Sequence, residues 1–206
     1  MTFRIERKLH LNNKNIFELK NIFSNQGFKR IFPNRIIFSC YLDTIDYQMY
    51  KDSIEGTVPR KKIRLRSYNK LFKGKVYLEI KINSVEGRYK KVTEVSNYKD
   101  VFDRGYFDQD YGICYPKLLV KYKRSYFKKD NVRLTIDKEV KFSKFYKDLK
   151  NNFSSFENYD CAELKCNNIY ELSKIELDQL QITRNSKYCN GINEILKEKN
   201  IYTERL

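Results

Sequence analysis

A strict alternation of charged and apolar residues in several short segments constrains the fold of this 206-residue chain more than any other feature. In RKKIRLRSY, residues 60–68, alternate positions hold Lys62, Arg64 and Arg66, and the positions between these cations hold isoleucine and leucine. Successive side chains of a β-strand point to opposite faces, so the segment is predicted to form a strand with one cationic and one apolar face. YLEIKIN, residues 77–83, shows the same alternation. For both strands, the function depends on which of the two faces lies inside the protein.

Eight segments of the chain have the composition of β-strands, with many Ile, Val, Tyr, Phe and Thr residues. They cover residues 3–11, 35–43, 60–68, 75–83, 88–96, 118–127, 131–140 and 160–167. Short polar turns at 83–87 and 128–131 indicate antiparallel hairpins. Helices are expected over residues 13–26, 44–54, 97–104, 143–151, 170–180 and 189–199. The pattern therefore predicts an α+β fold in which helices pack outside an antiparallel sheet.

Nothing in the sequence marks a boundary between domains. The chain has 3 Pro and 7 Gly residues, and we find no internal repeat and no linker rich in Pro, Gly or Ser. A chain of this length is sufficient for one domain with a substantial core. We therefore expect a single domain over residues 1–206.

At least five of the predicted strands have one apolar face and one face with charges of both signs. An antiparallel sheet with its charged face in water shows the same alternation, and for any one strand this interpretation stays open. Taken together, the strands favour a closed barrel, because about eight antiparallel strands can close around side chains or one small ligand. Charged faces inside a barrel would need water and a polyanion, since burying unpaired cations costs several kcal/mol each.

The formal net charge of the chain is +16, from 42 Lys and Arg against 26 Asp and Glu. This charge implies an anionic partner, such as nucleic acid, a phosphorylated small molecule or an acidic membrane surface. The 17 Tyr and 14 Phe residues mostly occupy strand or helix positions typical of a core, so no nucleic acid is expected. The first residues lack the apolar run of a signal peptide, and no window reaches the ~18 apolar residues of a membrane span. A cytoplasmic location is therefore expected.

Eight charged motifs follow one another along nearly the whole chain. They are RIERK (4–8), CYLDTID (40–46), IRLRSY (63–68), YLEIKIN (77–83), YKRSYF (122–127), VRLTIDKEV (132–140), AELK (162–165) and RNSKYCNG (184–191). Their content and order resemble those of the triphosphate tunnel superfamily, and within it the catalytic domain of the vacuolar transporter chaperone (VTC) complex, which makes inorganic polyphosphate from ATP. The resemblance implies a closed antiparallel barrel of eight strands with helices packed outside it. It also implies a polyphosphate polymerase, with ATP and inorganic polyphosphate as partners.

The resemblance further implies which residues bind the substrate. Eight cations match phosphate-binding positions of the family: Lys8, Arg64, Arg66, Lys81, Arg124, Arg133, Arg184 and Lys187. Arg64, Arg66, Lys81 and Arg133 are assigned to catalysis and the others to substrate binding, with Ser186 beside them. One more lysine is expected in RYKKVTEV, residues 88–95. The choice between Lys90 and Lys91 stays open, because a shift of one residue reverses the face of a strand.

The metal site is implied in the same way. Glu163 matches the metal-binding glutamate of the family, and Glu6 is expected to support it. Carboxylate oxygens suit a hard divalent cation, so Mn²⁺ or Mg²⁺ is the expected cofactor. Softer ligands are scarce, since the chain has one His and five Cys without a close pair. Glu79, Asp137 and Lys165 share the charged faces of their strands and are expected to support the site.

Two departures from the family pattern bear on the reaction. The superfamily opens with Glu-x-Glu-x-Lys, and Arg4 replaces the first of these glutamates here. The loss of a carboxylate argues against the hydrolytic branches, which use several carboxylates for two metals, and favours a polymerase. Arg184 stands where the family usually has a lysine. The change keeps the positive charge, but a planar guanidinium group takes the place of a compact ammonium group.

Two other functions stay open at this point. A triphosphate or tripolyphosphate hydrolase of the same superfamily could use Glu6, Glu79 or Asp137 to orient a water molecule. A non-catalytic polyphosphate-binding module would keep the cations without turnover. A polymerase needs no general base, because the attacking phosphate oxygen is already anionic, and this suits a chain with one His. The sequence also leaves a membrane-associated partner open.

Overall fold

The computed structural model describes residues 5–10, 15–149, 153–155, 160–177 and 181–203 of the chain. These residues form the α+β fold that the sequence predicts. The strands are β1 (Ile5–His10), β2 (Lys29–Asp43), β3 (Arg60–Tyr68), β4 (Tyr77–Ser84), β5 (Gly87–Glu94), β6 (Tyr106–Asp108), β7 (Gly112–Lys129), β8 (Val132–Lys144), β9 (Ser154–Ser155) and β10 (Cys161–Cys166). The helices are α1 (Asn15–Asn25), α2 (Gln48–Glu55), α3 (Tyr98–Arg104), α4 (Ile169–Ser173) and α5 (Lys187–Thr203).

All eight predicted strands are found, and several of them are longer than predicted. β3 has the predicted bounds, and its charged and apolar residues alternate strictly from Lys62 to Arg66. The short strands β6 and β9, with three and two residues, have no signal in the sequence pattern. Strand positions could therefore be predicted well where the period of two extends over several residues, but not for strands of two or three residues.

The predicted helix over 143–151 is wrong for residues 143–149, and residues 150 and 151 lie outside the described part of the chain. β8 continues through residue 144 and pairs with β9, and Phe145 N then donates to Lys117 O at 3.0 Å. These backbone hydrogen bonds outweigh the helical spacing of the apolar residues in this stretch. α4 is shorter than the predicted helix over 170–180, and residues 178–180 lie outside the described part of the chain. Among the described helices, none is both long and apolar enough to cross a membrane.

The strands belong to one sheet with the hydrogen-bonded order β1-β10-β8-β7-β2-β3-β4-β5, in which β6 pairs with β7 and β9 with β8. The ladders β1-β10, β10-β8, β2-β3, β3-β4 and β4-β5 are antiparallel. The expected closure into a barrel is not found in the described ranges, because β1 and β5 stand at the two ends of this order. β5 has the charges of a protected edge strand, with Arg88, Lys90 and Lys91 within eight residues.

The chain divides into two compact units. Unit 1 comprises Met1–Ile36, Tyr122–Val140 and Phe156–Asn185. Unit 2 comprises Ile37–Lys121, Lys141–Ser155 and Ser186–Leu206. Strands β2, β7 and β8 contribute residues to both units, and the single domain expected over residues 1–206 stays a prediction.

In unit 1, one face of β1, β8 and β10 packs against α1 and α4. The buried residues of this core are Leu9, Leu19, Phe23, Phe28, Val132, Leu134, Ile136, Ala162, Leu164, Cys166, Leu172 and Ile175. Leu19 and Phe23 are four residues apart in α1, which puts both on one face of the helix. Burying each large apolar side chain contributes roughly 1.5–3 kcal/mol relative to leaving it exposed. Because this core takes the apolar face of the strands, the opposite, charged face carries the candidate site.

The strands of unit 2 also bury one apolar face. Ile63 and Leu65 of β3 are fully buried, and Leu78 and Ile80 of β4 are at most 9% exposed. Rings extend this core, with Phe72 and Phe102 in an edge-to-face contact at 5.0 Å between centroids. Lys62, Arg64, Arg66, Glu79 and Lys81 consequently share the face that does not contribute to the apolar core.

Candidate functional site

The register of β3, β4 and β5 brings the predicted cations of unit 2 onto one face. Residues that are directly opposite in a ladder lie on the same face of the sheet. Lys62 is opposite Lys81, and Lys81 is opposite Lys90. Two residues further along β3, on the same face, Arg64 is opposite Glu79. The face therefore combines several cations with one carboxylate.

The same register distinguishes the two lysines between which the sequence could not choose. Lys90 lies on the charged face, where its Nζ donates to Glu79 Oε1 at 2.7 Å. Lys91 lies opposite Ile80, which belongs to the apolar face. The geometry thus brings Lys90 together with the other cations and separates Lys91 from them.

Glu79 is buried and pairs with three of these cations. Arg64 donates from Nε to Glu79 at 2.7 Å, and its Nη2 lies 2.5 Å from the same carboxylate. Arg66 Nη1 lies 3.4 Å from Glu79, and Arg66 Nε donates to Ser39 Oγ at 3.3 Å. Together with Lys90, these contacts hold both guanidinium groups in defined positions.

The pKa shifts at this face have a common electrostatic cause. Burial alone would raise the pKa of Glu79, but the charges of Arg64, Arg66 and Lys90 outweigh burial and hold it well below its ordinary range. Tyr41 OH accepts a hydrogen bond from Arg64 Nη1 at 2.7 Å. Burial would likewise raise the pKa of Tyr41, yet the two arginine charges and this hydrogen bond lower it. Both shifts indicate a positive local potential, which favours an anion.

α5 and the residue before it complete the site of unit 2. Lys62 Nζ donates to Ser186 Oγ at 3.0 Å and lies 5.6 Å from the centre of the Tyr188 ring. The rings of Tyr41 and Tyr188 are 5.1 Å apart between centroids. Lys187 is the first residue of α5, and its charge adds to the lowering of the Tyr41 pKa. Ser186 and Lys187 are therefore close to the cations of β3.

A buried carboxylate anchors α5 to α2. Asp43 is fully buried and accepts hydrogen bonds from the Tyr188 hydroxyl and from three backbone N–H groups. The backbone donors are Thr44 at 2.8 Å, Met49 at 2.9 Å and Tyr50 at 3.1 Å. Burial raises the pKa of Asp43, although the hydrogen bonds oppose this shift. Asp43 thus fixes the first turn of α5, which presents Tyr188 to the site.

In unit 1, the register of β1, β10 and β8 forms two rows of polar residues across the charged face. Lys8, Glu163 and Thr135 form one row, and Glu6, Lys165 and Arg133 form the other. Lys165 Nζ lies 3.2 Å from Glu6 Oε1 and 3.1 Å from Glu163 Oε2. Lys8 Nζ instead donates to the backbone oxygen of Asn185 at 2.6 Å. The two glutamates expected to bind metal thus share one ammonium group.

Arg124 and Asp137 form a buried pair on β7 and β8. Arg124 donates from Nε and Nη2 to the two carboxylate oxygens of Asp137, at 2.6 and 2.7 Å. Burial alone would lower the pKa of Arg124, but the charge of Asp137 raises it, so the guanidinium stays charged. Asp137 therefore orients Arg124 as Glu79 orients Arg64.

The donor set of unit 1 fits a hard divalent metal. Glu6 and Glu163 offer carboxylate oxygens, and Thr135 Oγ1 is buried without a hydrogen-bond partner among the described residues. Mg²⁺ in proteins is typically held by one or two carboxylates together with substrate phosphates and water. In the described part of the chain, no group of three or more His, Cys, Asp or Glu side chains is placed to hold a metal. A metal bound here would consequently depend on substrate oxygens as well.

The remaining predicted residues lie at the surface of unit 1. Arg133 is exposed and lines an open pocket of about 200 Å³. The residues that line it are Lys128, Asn131, Arg133, Lys165, Cys166 and Asn167. Arg184 is exposed in the segment between Ile182 and α5. Arg4 lies outside the described residues, so the first departure from the family pattern has no structural counterpart here.

Sequence reasoning did not assign Lys62, Tyr41, Asp43 or Tyr188 to the site. Lys62 had a usable signal, since it occupies the same set of alternate positions in β3 as Arg64. Asp43 and Tyr188 are separated by 145 residues in sequence, and no local pattern indicates that they contact each other. Tyr41 lies opposite Arg64 across the β2-β3 ladder, a register that the sequence does not specify.

Comparisons with known proteins identify the family of this chain and a similar fold. Residues 3–110 and 99–196 match the family model of the VTC domain. The fold is similar to the X-ray structure of a Vibrio parahaemolyticus protein described as a candidate adenylate cyclase, with a TM-score of 0.55. The two sequences are 17% identical, and the match covers 90% of this chain and 95% of that chain. A conserved hypothetical protein from Pyrococcus furiosus aligns with a TM-score of 0.49 and 14% identity, over 86% of this chain and 94% of that chain. No curated protein matches this chain significantly. At 17% identity the Vibrio structure bears on the fold alone.

Proposed function

Because this chain belongs to the VTC domain family, we propose that it is a polyphosphate polymerase. It transfers the γ-phosphoryl group of ATP to a growing inorganic polyphosphate chain bound by the cations of the charged sheet face, with Mn²⁺ or Mg²⁺ as cofactor. The observation that carries the proposal is the arginine pair Arg64 and Arg66, which is shielded from solvent and oriented by Glu79. Oriented guanidinium groups bind phosphate oxygens through parallel hydrogen bonds.

The residues of unit 2 bind the triphosphate. Phosphoryl transfer spreads charge over the oxygens of the transferred group, and catalysis consists mainly of positioning and charge neutralisation. Arg64 and Arg66 supply fixed donors, and Lys81 supplies a point charge in the adjacent row. Ser186, Lys187 and Lys90 bind further phosphate oxygens around them.

The residues of unit 1 hold the metal and further phosphates. Glu163 and Glu6 bind the divalent cation through oxygen. A divalent cation held by these two carboxylates would supply positive charge that offsets the charge of phosphate oxygens. Arg133, Lys8, Arg124 and Arg184 bind phosphate oxygens in unit 1.

The reaction needs no proton transfer from the protein. A terminal oxygen of the polyphosphate chain, already anionic at neutral pH, attacks the γ-phosphorus of ATP. A new P–O bond forms to the chain while the bond between the γ-phosphorus and the bridging oxygen breaks. The electron pair of that bond leaves with ADP, and the chain is longer by one phosphate.

The pairing of carboxylates favours chain growth over hydrolysis. Hydrolysis would benefit from a carboxylate that orients water, and the sequence offers Glu6, Glu79 and Asp137 for this role. Glu6 contacts Lys165, Glu79 contacts Arg64, and Asp137 is bound at both oxygens by Arg124. Because a cation contacts each of these carboxylates, they are poorly placed to orient water. A phosphate oxygen of the growing chain is therefore favoured over water as the attacking group.

The proposal is tested by incubating the protein with ATP and Mn²⁺ or Mg²⁺. Chain formation is followed on polyacrylamide gels stained for polyphosphate, and released phosphate is measured in the same samples. We expect long chains with little free phosphate. Free phosphate without chains would instead support a hydrolase, and tripolyphosphate binding without either product would support a non-catalytic binding module.

A pair of variants tests the metal assignment within the same assay. Glu163→Gln removes one carboxylate charge and should abolish metal-dependent turnover while weakening nucleotide binding less. Glu94→Gln makes the same chemical change at an exposed position of β5, where Glu94 pairs with Lys75 at 3.5 Å. Full activity in Glu163→Gln, or equal losses in both variants, would contradict the assignment.

A further inference from the structure

We infer that Lys165 is an internal competitor of the divalent cation: its ammonium group holds Glu6 and Glu163, and a metal binds these carboxylates only as Lys165 leaves them. The inference rests on the proposed function, because it concerns the same two carboxylates. It adds a regulating residue to the site. It also explains why a lysine stands between the two expected metal ligands.

The contacts of Lys165 support this competition directly. Its Nζ lies 3.2 Å from Glu6 Oε1 and 3.1 Å from Glu163 Oε2, so both oxygens are close enough to share one ion. All three side chains are at most 20% exposed, which limits how far water can screen the charges. An ammonium group donates up to three hydrogen bonds and accepts none, so it satisfies carboxylate oxygens as a small cation does.

Thr135 supports the same interpretation. It lies opposite Glu163 in the β10-β8 ladder, and its Oγ1 is buried without a partner among the described residues. An ammonium held by Glu6 and Glu163 leaves this hydroxyl oxygen unused. A hard cation with six or more oxygen ligands can use it, either directly or through a bound water molecule.

The pocket beside β10 gives Lys165 a second position. Lys165 lines this pocket together with Lys128 and Arg133. Once a metal has neutralised the carboxylates, the ammonium group is available to the pocket. Three cations there repel one another, and a phosphate group would relieve that repulsion. Metal binding to the carboxylates and anion binding to the pocket are thereby coupled through one side chain.

The experiment measures Mn²⁺ binding to the full chain without nucleotide, by electron paramagnetic resonance of free Mn²⁺ and by calorimetry. Lys165→Met removes the ammonium group and keeps most of the side-chain length. We expect it to bind Mn²⁺ on the order of tenfold more tightly than the wild type, which corresponds to about 1.4 kcal/mol. Lys165→Arg keeps the charge and should bind Mn²⁺ no more tightly than the wild type.

Lys8→Met is the matched control. Lys8 lies directly opposite Glu163, yet its Nζ donates to Asn185 O rather than to a carboxylate. Removing this charge changes the field at the glutamates without removing a competitor. Its effect on Mn²⁺ affinity should stay within about threefold, because the Lys8 ammonium group is held at Asn185 O and not at the oxygens that a metal would bind. Adding Glu163→Gln to Lys165→Met should abolish the gain.

Equal Mn²⁺ affinities for Lys165→Met and Lys8→Met would overturn the inference, and so would an absence of Mn²⁺ binding in every variant. Thermal melts of each variant verify that it is folded. The result is independent of the polymerase assay. Chain synthesis by the wild type together with unchanged Mn²⁺ affinity in Lys165→Met would reject the inference and keep the proposed function. Tighter Mn²⁺ binding in Lys165→Met without chain synthesis by the wild type would support the inference and reject the proposed function.

Discussion

Arg64 and Glu79 are opposite each other in the β3-β4 ladder and also form an ion pair, with Arg64 Nε at 2.7 Å and Nη2 at 2.5 Å from the carboxylate. The third guanidinium nitrogen, Nη1, donates to Tyr41 OH at 2.7 Å. A carboxylate of the protein thus occupies the donors that a phosphate group would use. Glu79 fixes the direction of the arginine and at the same time competes with the anion for it.

Replacing Arg66 tests whether this face binds phosphate. Each charge-assisted contact to a phosphate oxygen contributes roughly 1.5–3 kcal/mol, so Arg66→Ala should weaken tripolyphosphate binding about ten- to a hundredfold. Calorimetric titration of tripolyphosphate measures the change. The variant should stay folded, because Glu79 keeps its contacts with Arg64 and Lys90.

Arg60→Ala provides the control for this experiment. Arg60 begins the same strand, and its Nη1 donates to the backbone oxygens of Gly56 and Thr57. Its removal should change tripolyphosphate affinity by less than about threefold, which is about 0.6 kcal/mol. Equal affinities for wild type and Arg66→Ala would show that the charged face of β3 does not bind phosphate.

Replacing Glu79 tests the competition between carboxylate and anion. Glu79→Gln removes a negative charge next to Arg64, Arg66 and Lys90 and weakens its hold on their donors. Tripolyphosphate should then bind on the order of tenfold more tightly, which is about 1.4 kcal/mol. A weaker affinity in this variant would mean that Glu79 acts mainly by orienting the arginines.

Glu79 should also make the stability of the protein depend on pH. The cations around it hold its pKa well below the ordinary value of 4.5, although burial opposes this. A carboxyl group whose pKa is lowered in the folded state stabilises the protein fully above its unfolded pKa, and this stabilisation is lost as the pH falls toward the folded pKa. The free energy of unfolding should therefore fall between about pH 5 and pH 3, and less steeply in Glu79→Gln.

Urea unfolding at several pH values measures this slope. Glu94→Gln serves as the control, because Glu94 is exposed and its side chain pairs only at 3.5 Å with Lys75 among the contacts described. This variant should keep the slope of the wild type. Identical slopes in all three proteins would mean that Glu79 does not contribute to acid sensitivity.

Replacing Tyr188 tests the anchor between α5 and α2. Tyr188→Phe removes the hydroxyl that donates to Asp43 and leaves the buried carboxylate with three backbone donors. Loss of a hydrogen bond to a buried charged group should lower the free energy of unfolding by roughly 1.5–3 kcal/mol. Urea denaturation measures the loss, and Tyr170→Phe at a position that is 73% exposed should change stability by less than about 0.5 kcal/mol. An unchanged Tyr188→Phe would contradict the role of Asp43.

The sequence predicted those parts of the fold that depend on local alternation. The period of two identified β3 from Arg60 to Tyr68 and put Arg64 and Arg66 on one face, and the structure has both. The helix predicted over 143–151 is not found in residues 143–149, because hydrogen bonds with strands distant in sequence determine the conformation there. The closure of a barrel could not be decided from local pattern, since it depends on whether the two end strands of the order pair.

The site was predictable to the same extent. Strand parity placed Lys81 with the arginines, but it could not decide between Lys90 and Lys91, because register depends on the turn between β4 and β5. The contact between Asp43 and Tyr188 depends on how α5 packs, and sequence distance gives no information on it. Motif resemblance supplied Glu163 and Glu6 as expected ligands, whereas the ammonium group shared between them depends on the tertiary structure.

The pairing of β1 with β10 has a consequence for how the protein is made. Ile5–His10 hydrogen-bonds with Cys161–Cys166, so β1 is synthesised about 150 residues before its partner strand. At roughly 5–20 residues per second, β1 waits on the order of ten seconds on the ribosome with its ladder groups unpaired. Its alternating charges keep it from pairing with other nascent chains during this time. The face of unit 1 that carries Glu6 and Glu163 can therefore form only after translation has passed Cys166, so the divalent cation proposed for these carboxylates would be acquired late in biogenesis.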